Sequence, residues 1–212
     1  MASPPNSQPG RSRRAPRPRR GRPRASARQA VLAATEALLL EGGSEAVSIR
    51  RVSARCGYSA PTIYHHFGDK NGLIDAVLER RFRHMLELMQ AIPRGDDAAR
   101  YLREVAVAFV RFAVANPDHY RLLNIERAHQ SPEAVPSAQA AQALAKQALG
   151  ELLREGTLAT SDLDSAFDVL WSMLHGVISL HLLQPERARA NDLLVDLALD
   201  TVERGLLRRQ TR

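Results

Sequence analysis

Ser59, Thr62, Tyr64 and His65 bring three hydroxyls and an imidazole together within seven residues, with no carboxylate among them. On a helix, Ile63 and Phe67 are four apart and share one face, which leaves Thr62, Tyr64 and His65 on the outward side. Such a set suits a polyanion. Hydroxyls and imidazoles reach base edges in a major groove, or phosphates, without repelling the backbone. Thr62 and His65 are the candidates for base edges, with Ala60 and Pro61 placed to meet thymine methyls. Ser48, Arg50, Ser59, Tyr64 and Lys70 are the candidates for phosphates.

The flanking sequence supplies the elements that must hold this set in place. Ser48 is a polar cap before Ile49, Val52 and Cys56, whose spacing predicts a short helix with one buried face. Gly57 can take the left-handed conformation that ends a helix, and Ser59 caps a second helix with Pro61 near its tolerated first turn. Two short helices around a glycine turn make a helix-turn-helix. A preceding helix is expected over Ala25 to Glu41, with Val31, Ala34, Leu38 and either Leu39 or Glu41 in register, stopped by Gly42-Gly43. After Gly68, Asp69 can cap a long helix to about Ala91 carrying Leu73, Ile74, Val77, Leu78 and Phe82.

The order Gly57-x-Ser59-x-x-Thr62-Ile63-Tyr64-x-x-Phe67, followed by Asp69, Lys70 and an apolar run, closely resembles the DNA-binding domain of the TetR (tetracycline repressor) family, from about Ala25 to Leu78. Ser53 stands where the family generally has Ala, and Tyr58 where it generally has Val. The resemblance implies a helix-turn-helix domain at 25–70 and a helical ligand-binding and dimerisation domain at 71–212. It also implies a homodimeric repressor that leaves a pseudo-palindromic operator when a small molecule binds. Trp171-x-x-x-His175-Gly176, with Asn116-Pro117-x-x-Tyr120-Arg121-Leu122 upstream, resembles a C-terminal domain type named for its Trp-His-Gly signature, over about Asp96 to Leu183. The inducer site of the family then points to Phe109, Phe112, Tyr120, Phe167, Trp171 and His175 as walls for a small, mainly apolar effector. The same rings also make an ordinary bundle core.

Helices are expected from Asp96 or Asp97 to Ala115, over the segment after the Asn116-Pro117 cap as far as the Ser131-Pro132 loop, and from Pro136 to Glu155. The last two are expected over Ser161 to Gln184 and Asn191 to about Arg208. That last pair offers more apolar face than one core needs, through Leu193, Leu197 and Thr201 beside Leu194, Ala198 and Val202. A helix pair docking on its copy is one reading, and a thicker monomer core is the other.

Composition sets the wider limits. The 212 residues are 44% hydrophobic but only 5% aromatic, which favours an all-α chain. The net charge of +7 is uneven: residues 1–24 hold eight arginines and no acid, and the other 22 basic residues face 23 acidic ones. That Pro- and Arg-rich arm cannot bury a core and is expected to be disordered. Within it, Arg20-Gly21-Arg22-Pro23 resembles the core of an AT-hook, so Arg20 and Arg22 either track a narrow minor groove or simply attract phosphates. The lone Cys56 fits a packing role and a reducing cytoplasm, and no continuous apolar run nears the ~20 residues of a membrane span. No export signal is read at the N-terminus.

Scattered histidines, and the absence of a phosphate loop or a nucleophile elbow, give no catalytic, metal or cofactor site. A weakly sequence-specific architectural DNA binder and a helical enzyme remain the rival readings.

Overall fold

The structure is a computed structural model that describes residues 24–126 and 135–207, and the described elements are helices and turns, with one isolated antiparallel bridge between Leu158 and Leu207. The arm at 1–24, with Arg20 and Arg22, and the loop around Ser131-Pro132 lie outside the described residues, apart from Arg24. The helices are α1 (Arg24–Gly42), α2 (Ile49–Cys56), α3 (Ala60–Phe67), α4 (Lys70–Gln90) and α5 (Ala98–Ala115), then α6 (Pro117–Arg121), α7 (Pro136–Arg154), α8 (Leu163–Leu183) and α9 (Ala188–Leu206). A 3-10 turn at Ser44–Ala46 follows α1, a π-helical turn at Leu122–Glu126 extends α6, and a 3-10 turn at Pro185–Arg187 leads into α9.

Polar caps place most of these starts. Ser48 Oγ accepts from Arg51 N at 3.3 Å, Asp69 Oδ1 from Gly72 N at 2.8 Å, and Asp97 Oδ1 from Arg100 N at 2.9 Å. Three boundaries differ from expectation. Asp162, rather than Ser161, caps α8, because its carboxylate reaches both the Asp164 and Ser165 amides at 3.1 and 3.2 Å. Helix α9 begins at Ala188, ahead of Asn191, because the turn opened by Pro185 runs straight into it. Asn116 makes no capping bond to α6; its side-chain amide donates back to Phe112 O at 2.9 Å and closes α5 instead. Helix α7 has no cap of its own from Val135, and Glu79 of α4 supplies one, accepting from Ser137 N and Ser137 Oγ at 3.0 and 2.7 Å.

Helix α1 packs on α2 and α4, α7 lies against α4, α5 and α8, and α8 pairs with α9. One continuous apolar core joins them. Helix α4 runs through its whole length: Leu73, Ile74, Val77 and Leu78 are buried with Val31, Leu38, Val52 and Ile63, while Phe82, Met85 and Met89 are buried among the later helices. At 1.5 Å per residue it is a rod of about 30 Å. Although no unbroken apolar run of that length exists in the sequence, the 21 residues of α8 have the length and apolar character of a membrane-crossing helix. In the fold, Ala166, Phe167, Leu170, Leu174 and Ile178 of α8 belong to the core.

The outer faces of the last pair are apolar as well. Leu183 is 74% exposed, Leu193 70% and Leu197 59%, with Val169 and Leu180 also on the surface. Of the two rows on α9, Ala198, Leu199 and Val202 point inward, and Leu193, Leu197 and Thr201 point out.

Candidate nucleic-acid interface and internal cavity

The turn between α2 and α3 is set by Gly57, whose φ of 72° is left-handed, and it is closed by Ser53, whose hydroxyl donates to Tyr58 O at 2.6 Å. The two positions that depart from the family pattern are thus partners, and the half-buried Tyr58 ring packs on the core. On α3, Ile63 is fully buried and Phe67 half-buried, with the Arg28 guanidinium 5.6 Å from the Phe67 ring centroid. Tyr64 and His65 are exposed and uncovered, as are Arg50, Ser59 and Pro61; Ser48, Ala60 and Lys70 are half-buried.

Thr62 stands apart from the other outward residues. It is half-buried, and its Oγ1 lies 2.9 Å from Ser59 Oγ, which also receives the Thr62 amide at 3.4 Å. Its hydroxyl is oriented by the cap, which fixes its rotamer at the leading edge of the helix. Helix α4 follows after one turn. There Gly72 is required by contact rather than by φ: a Cβ would sit 2.2 Å from the Phe67 carbonyl oxygen. The end of α3 and the start of α4 therefore touch backbone to backbone.

In the C-terminal half the expected rings do come together, but they split into two groups. Trp171 lies between Phe109 and Phe167, with centroids 5.4 and 5.6 Å away and planes 28° and 22° from parallel. These three line a narrow internal cavity of about 40 Å³, together with Phe82, Met85 and Met89 of α4 and the small face of α7. His175 packs at 4.1 Å from Trp171, and its Nδ1 is 2.6 Å from Tyr120 Oη. That pair sits behind the wall and not on it, because the bond to Tyr120 draws the imidazole away. Phe112 turns to Phe82, 5.6 Å between centroids, and is also off the wall.

Burial pushes His175 down to about 4 and Tyr120 up to about 12, the latter against a Ser179 hydrogen bond. Both are neutral near pH 7 and share one hydrogen bond. The Nε2 of His175 is buried without a partner.

Met85, Met89, Asn124 and Gln142 were not among the expected wall residues. The spacing of Phe82, Met85 and Met89, three and four apart, does mark one face of α4. No sequence signal marks a second feature, a charged tie between α1, α4 and α6. The Glu36 carboxylate binds both Arg80 and Arg81, and His119 Nε2 lies 3.2 Å from it. Burial pushes the Glu36 carboxyl up, but Arg81, with Arg80 and His119, outweighs it and holds the group below its ordinary value. Burial, and then the Arg81 charge, push the His119 imidazole down against the pull of Glu36.

Residues 31–77 match the family model described as "Bacterial regulatory proteins, tetR family", and residues 102–202 match "Tetracyclin repressor-like, C-terminal domain". The second is a broader description than the Trp-His-Gly type. The class C tetracycline repressor of Escherichia coli is 33% identical over 96 residues, 45% of this chain and 43% of that protein. The chain thus aligns with less than half the length of such curated relatives. Among solved structures, a Rhodococcus sp. RHA1 protein of unknown function superposes with a TM-score of 0.73 at 24% identity, covering 86% of this chain and 95% of its own. SmeT, the repressor of the Stenotrophomonas maltophilia efflux pump SmeDEF, gives 0.64 at 24% identity, covering 86% and 91%. Both likenesses speak to the fold.

Proposed function

Because the chain belongs to the TetR family of helix-turn-helix transcriptional regulators, we propose that it acts in the cytoplasm as a homodimeric, ligand-responsive repressor of a pseudo-palindromic operator. The observation that carries this reading is the exposed, carboxylate-free face of α3, with Tyr64 and His65 on the surface and Thr62 held at its leading edge. In this reading 25–70 is the DNA-binding unit and 71–212 the ligand-binding and dimerisation unit. The two α3 helices enter successive major grooves about 34–36 Å apart. Thr62 and His65 contact base edges, Ala60 and Pro61 meet thymine methyls, and Ser48, Arg50, Ser59, Tyr64 and Lys70 hold phosphates. The arm with Arg20 and Arg22 adds attraction that depends on salt.

The dimer forms through the outer faces of α8 and α9, where Leu180, Leu183, Leu193 and Leu197 otherwise face water. The effector occupies the cavity beside Phe109, Phe167 and Trp171, with Tyr120, His175 and Phe112 supporting that wall from behind. The cavity is too small for a drug-sized molecule as it stands, so the effector opens it. Phe82, Met85 and Met89 are on α4, and their displacement moves the rod whose other end carries the cap at Asp69. A ligand that fits only the mis-spaced form weakens operator binding by its differential affinity for that form, and by no more.

The test is binding to the operator and to scrambled DNA across a salt series. Thr62→Ala should lower the preference for operator over scrambled DNA by about 1–3 kcal/mol, roughly five- to 150-fold, while leaving scrambled binding unchanged. An unchanged preference removes Thr62 from base reading. A steep salt slope with no preference in the parent protein supports an architectural binder instead.

A further inference from the structure

Arg28 stands exposed in the second turn of α1, and its guanidinium carbon is 5.6 Å from the centroid of the Phe67 ring at the end of α3. That is a cation–π contact, which at an exposed position adds little to stability. Its effect is to orient the side chain. The ring that does so is itself fixed, because Phe67 packs on the core and the His66 ring lies 6.0 Å from it.

Arginines elsewhere on the surface are oriented by acids, as in Arg55–Glu41, Arg83–Glu79 and Arg100–Glu104. A carboxylate cancels the charge that it orients, and it competes with any other anion. Among the described residues Arg28 meets a ring and pairs with no acid. Residues 1–24, which precede it, contain no acid either. The ring leaves the full charge and the N–H donors of the guanidinium available.

Position decides what those donors meet. A major groove is about 12 Å wide, and a helix with its side chains fills about 10–12 Å of it. A group packed beside α3, and not on its outward face, therefore meets the sugar-phosphate wall. The first turn of α1 holds no acid, so the positive end of that helix adds to the field there.

Resting on the reading that α3 enters the groove, we propose that Arg28 is a phosphate-binding residue of the DNA interface, held in place by Phe67. It strengthens binding without reading sequence, and it brings α1 into an interface otherwise assigned to α2, α3 and the start of α4.

The experiment uses the full chain and a labelled duplex of random sequence, followed by fluorescence anisotropy between about 50 and 200 mM salt. Arg28→Met should weaken binding about three- to tenfold at the middle of that range and flatten the plot of log affinity against log salt by about 0.9 for each chain bound. Arg28→Lys should restore the slope but only part of the affinity, since an ammonium on a flexible stem is a point charge. Phe67→Leu, at unaltered helical content, should keep the slope and weaken binding about two- to fivefold. Arg111→Met, which removes an exposed arginine from α5, should match the parent. An Arg28→Met slope equal to the parent's, or an equal flattening in Arg111→Met, overturns the contact, and Phe67→Leu binding like the parent overturns the part given to the ring. Arg50→Met separates this contact from the interface as a whole. A flatter slope there with Arg28→Met unchanged overturns Arg28 alone, and no change in either variant overturns the groove reading with it.

Discussion

Replacing His175 with glutamine should remove a defined part of the acid sensitivity of the fold. The imidazole is pushed down to about 4 by burial beside Trp171, Tyr120 and Phe109, against an ordinary value near 6.5 in the unfolded chain. A base whose folded value is depressed contributes its stability fully above the unfolded value and loses it as pH falls toward the folded one, because the unfolded chain takes up the proton first. Between about pH 7 and pH 5 this single group lowers stability by about 2 kcal/mol. The carboxylates of Glu36 and Glu79, both held below their ordinary range, stay ionised over that window and do not contribute. The His119 imidazole, also depressed, titrates in the same sense but is common to both proteins and cancels in the comparison. Urea unfolding followed by far-UV circular dichroism at the two pH values gives four free energies. The parent should lose about 2 kcal/mol more than His175→Gln on acidification. The offset at neutral pH, where Tyr120 Oη loses its present partner, does not enter that difference. Equal losses in the two proteins would show that the imidazole is hydrated or protonated in the native state, and the buried Tyr120–His175 pair would have to be abandoned.

Two other substitutions test the frame around the sites. Gly72→Ala drives a Cβ to 2.2 Å from the Phe67 carbonyl oxygen and should cost about 1–3 kcal/mol in thermal or urea unfolding, with operator affinity falling as the α3–α4 junction shifts. A melting curve superimposable on the parent's would mean the two backbones are further apart than described. Leu197→Glu, on a side chain 59% exposed in the single chain, should leave helical content unchanged and convert dimer to monomer in sedimentation velocity. A variant that sediments like a dimeric parent moves the interface off α9, and a monomeric parent removes it altogether.

The head of the molecule was legible because its signals are local. Ser48, Gly57, Ser59 and Asp69 act on amides three or four residues away, and a cap or a left-handed glycine leaves its mark in the sequence that it serves. The cavity was half legible. Trp171 and His175 share a face by spacing alone, yet whether a ring lines the space or backs it depends on a partner 55 residues away, Tyr120, and on which way that partner draws it. Phe112 shares a helix face with Phe109 but meets Phe82, for the same reason. The charged tie was invisible because Glu36 lies 44 and 45 residues from the arginines that it binds, and an isolated Glu on a helix reads as solvated surface. Helix α7 shows a similar limit, since its first turn is capped from α4, where Glu79 accepts from the Ser137 amide and hydroxyl.

The Glu36 tie bears on how interchangeable the parts of such a chain are. A graft that joined a foreign reading head to this body at the α3–α4 turn would bring a new residue to position 36 and leave Arg80, Arg81 and His119 facing it. Any residue but an acid of similar reach strands two guanidiniums beside a buried imidazole, and the seam repels itself. The unit that can be exchanged therefore extends beyond the DNA-reading helices: a seam that respects the charges places α1 and the first three turns of α4 in one piece, and leaves α6 as the surface against which every such piece must fit.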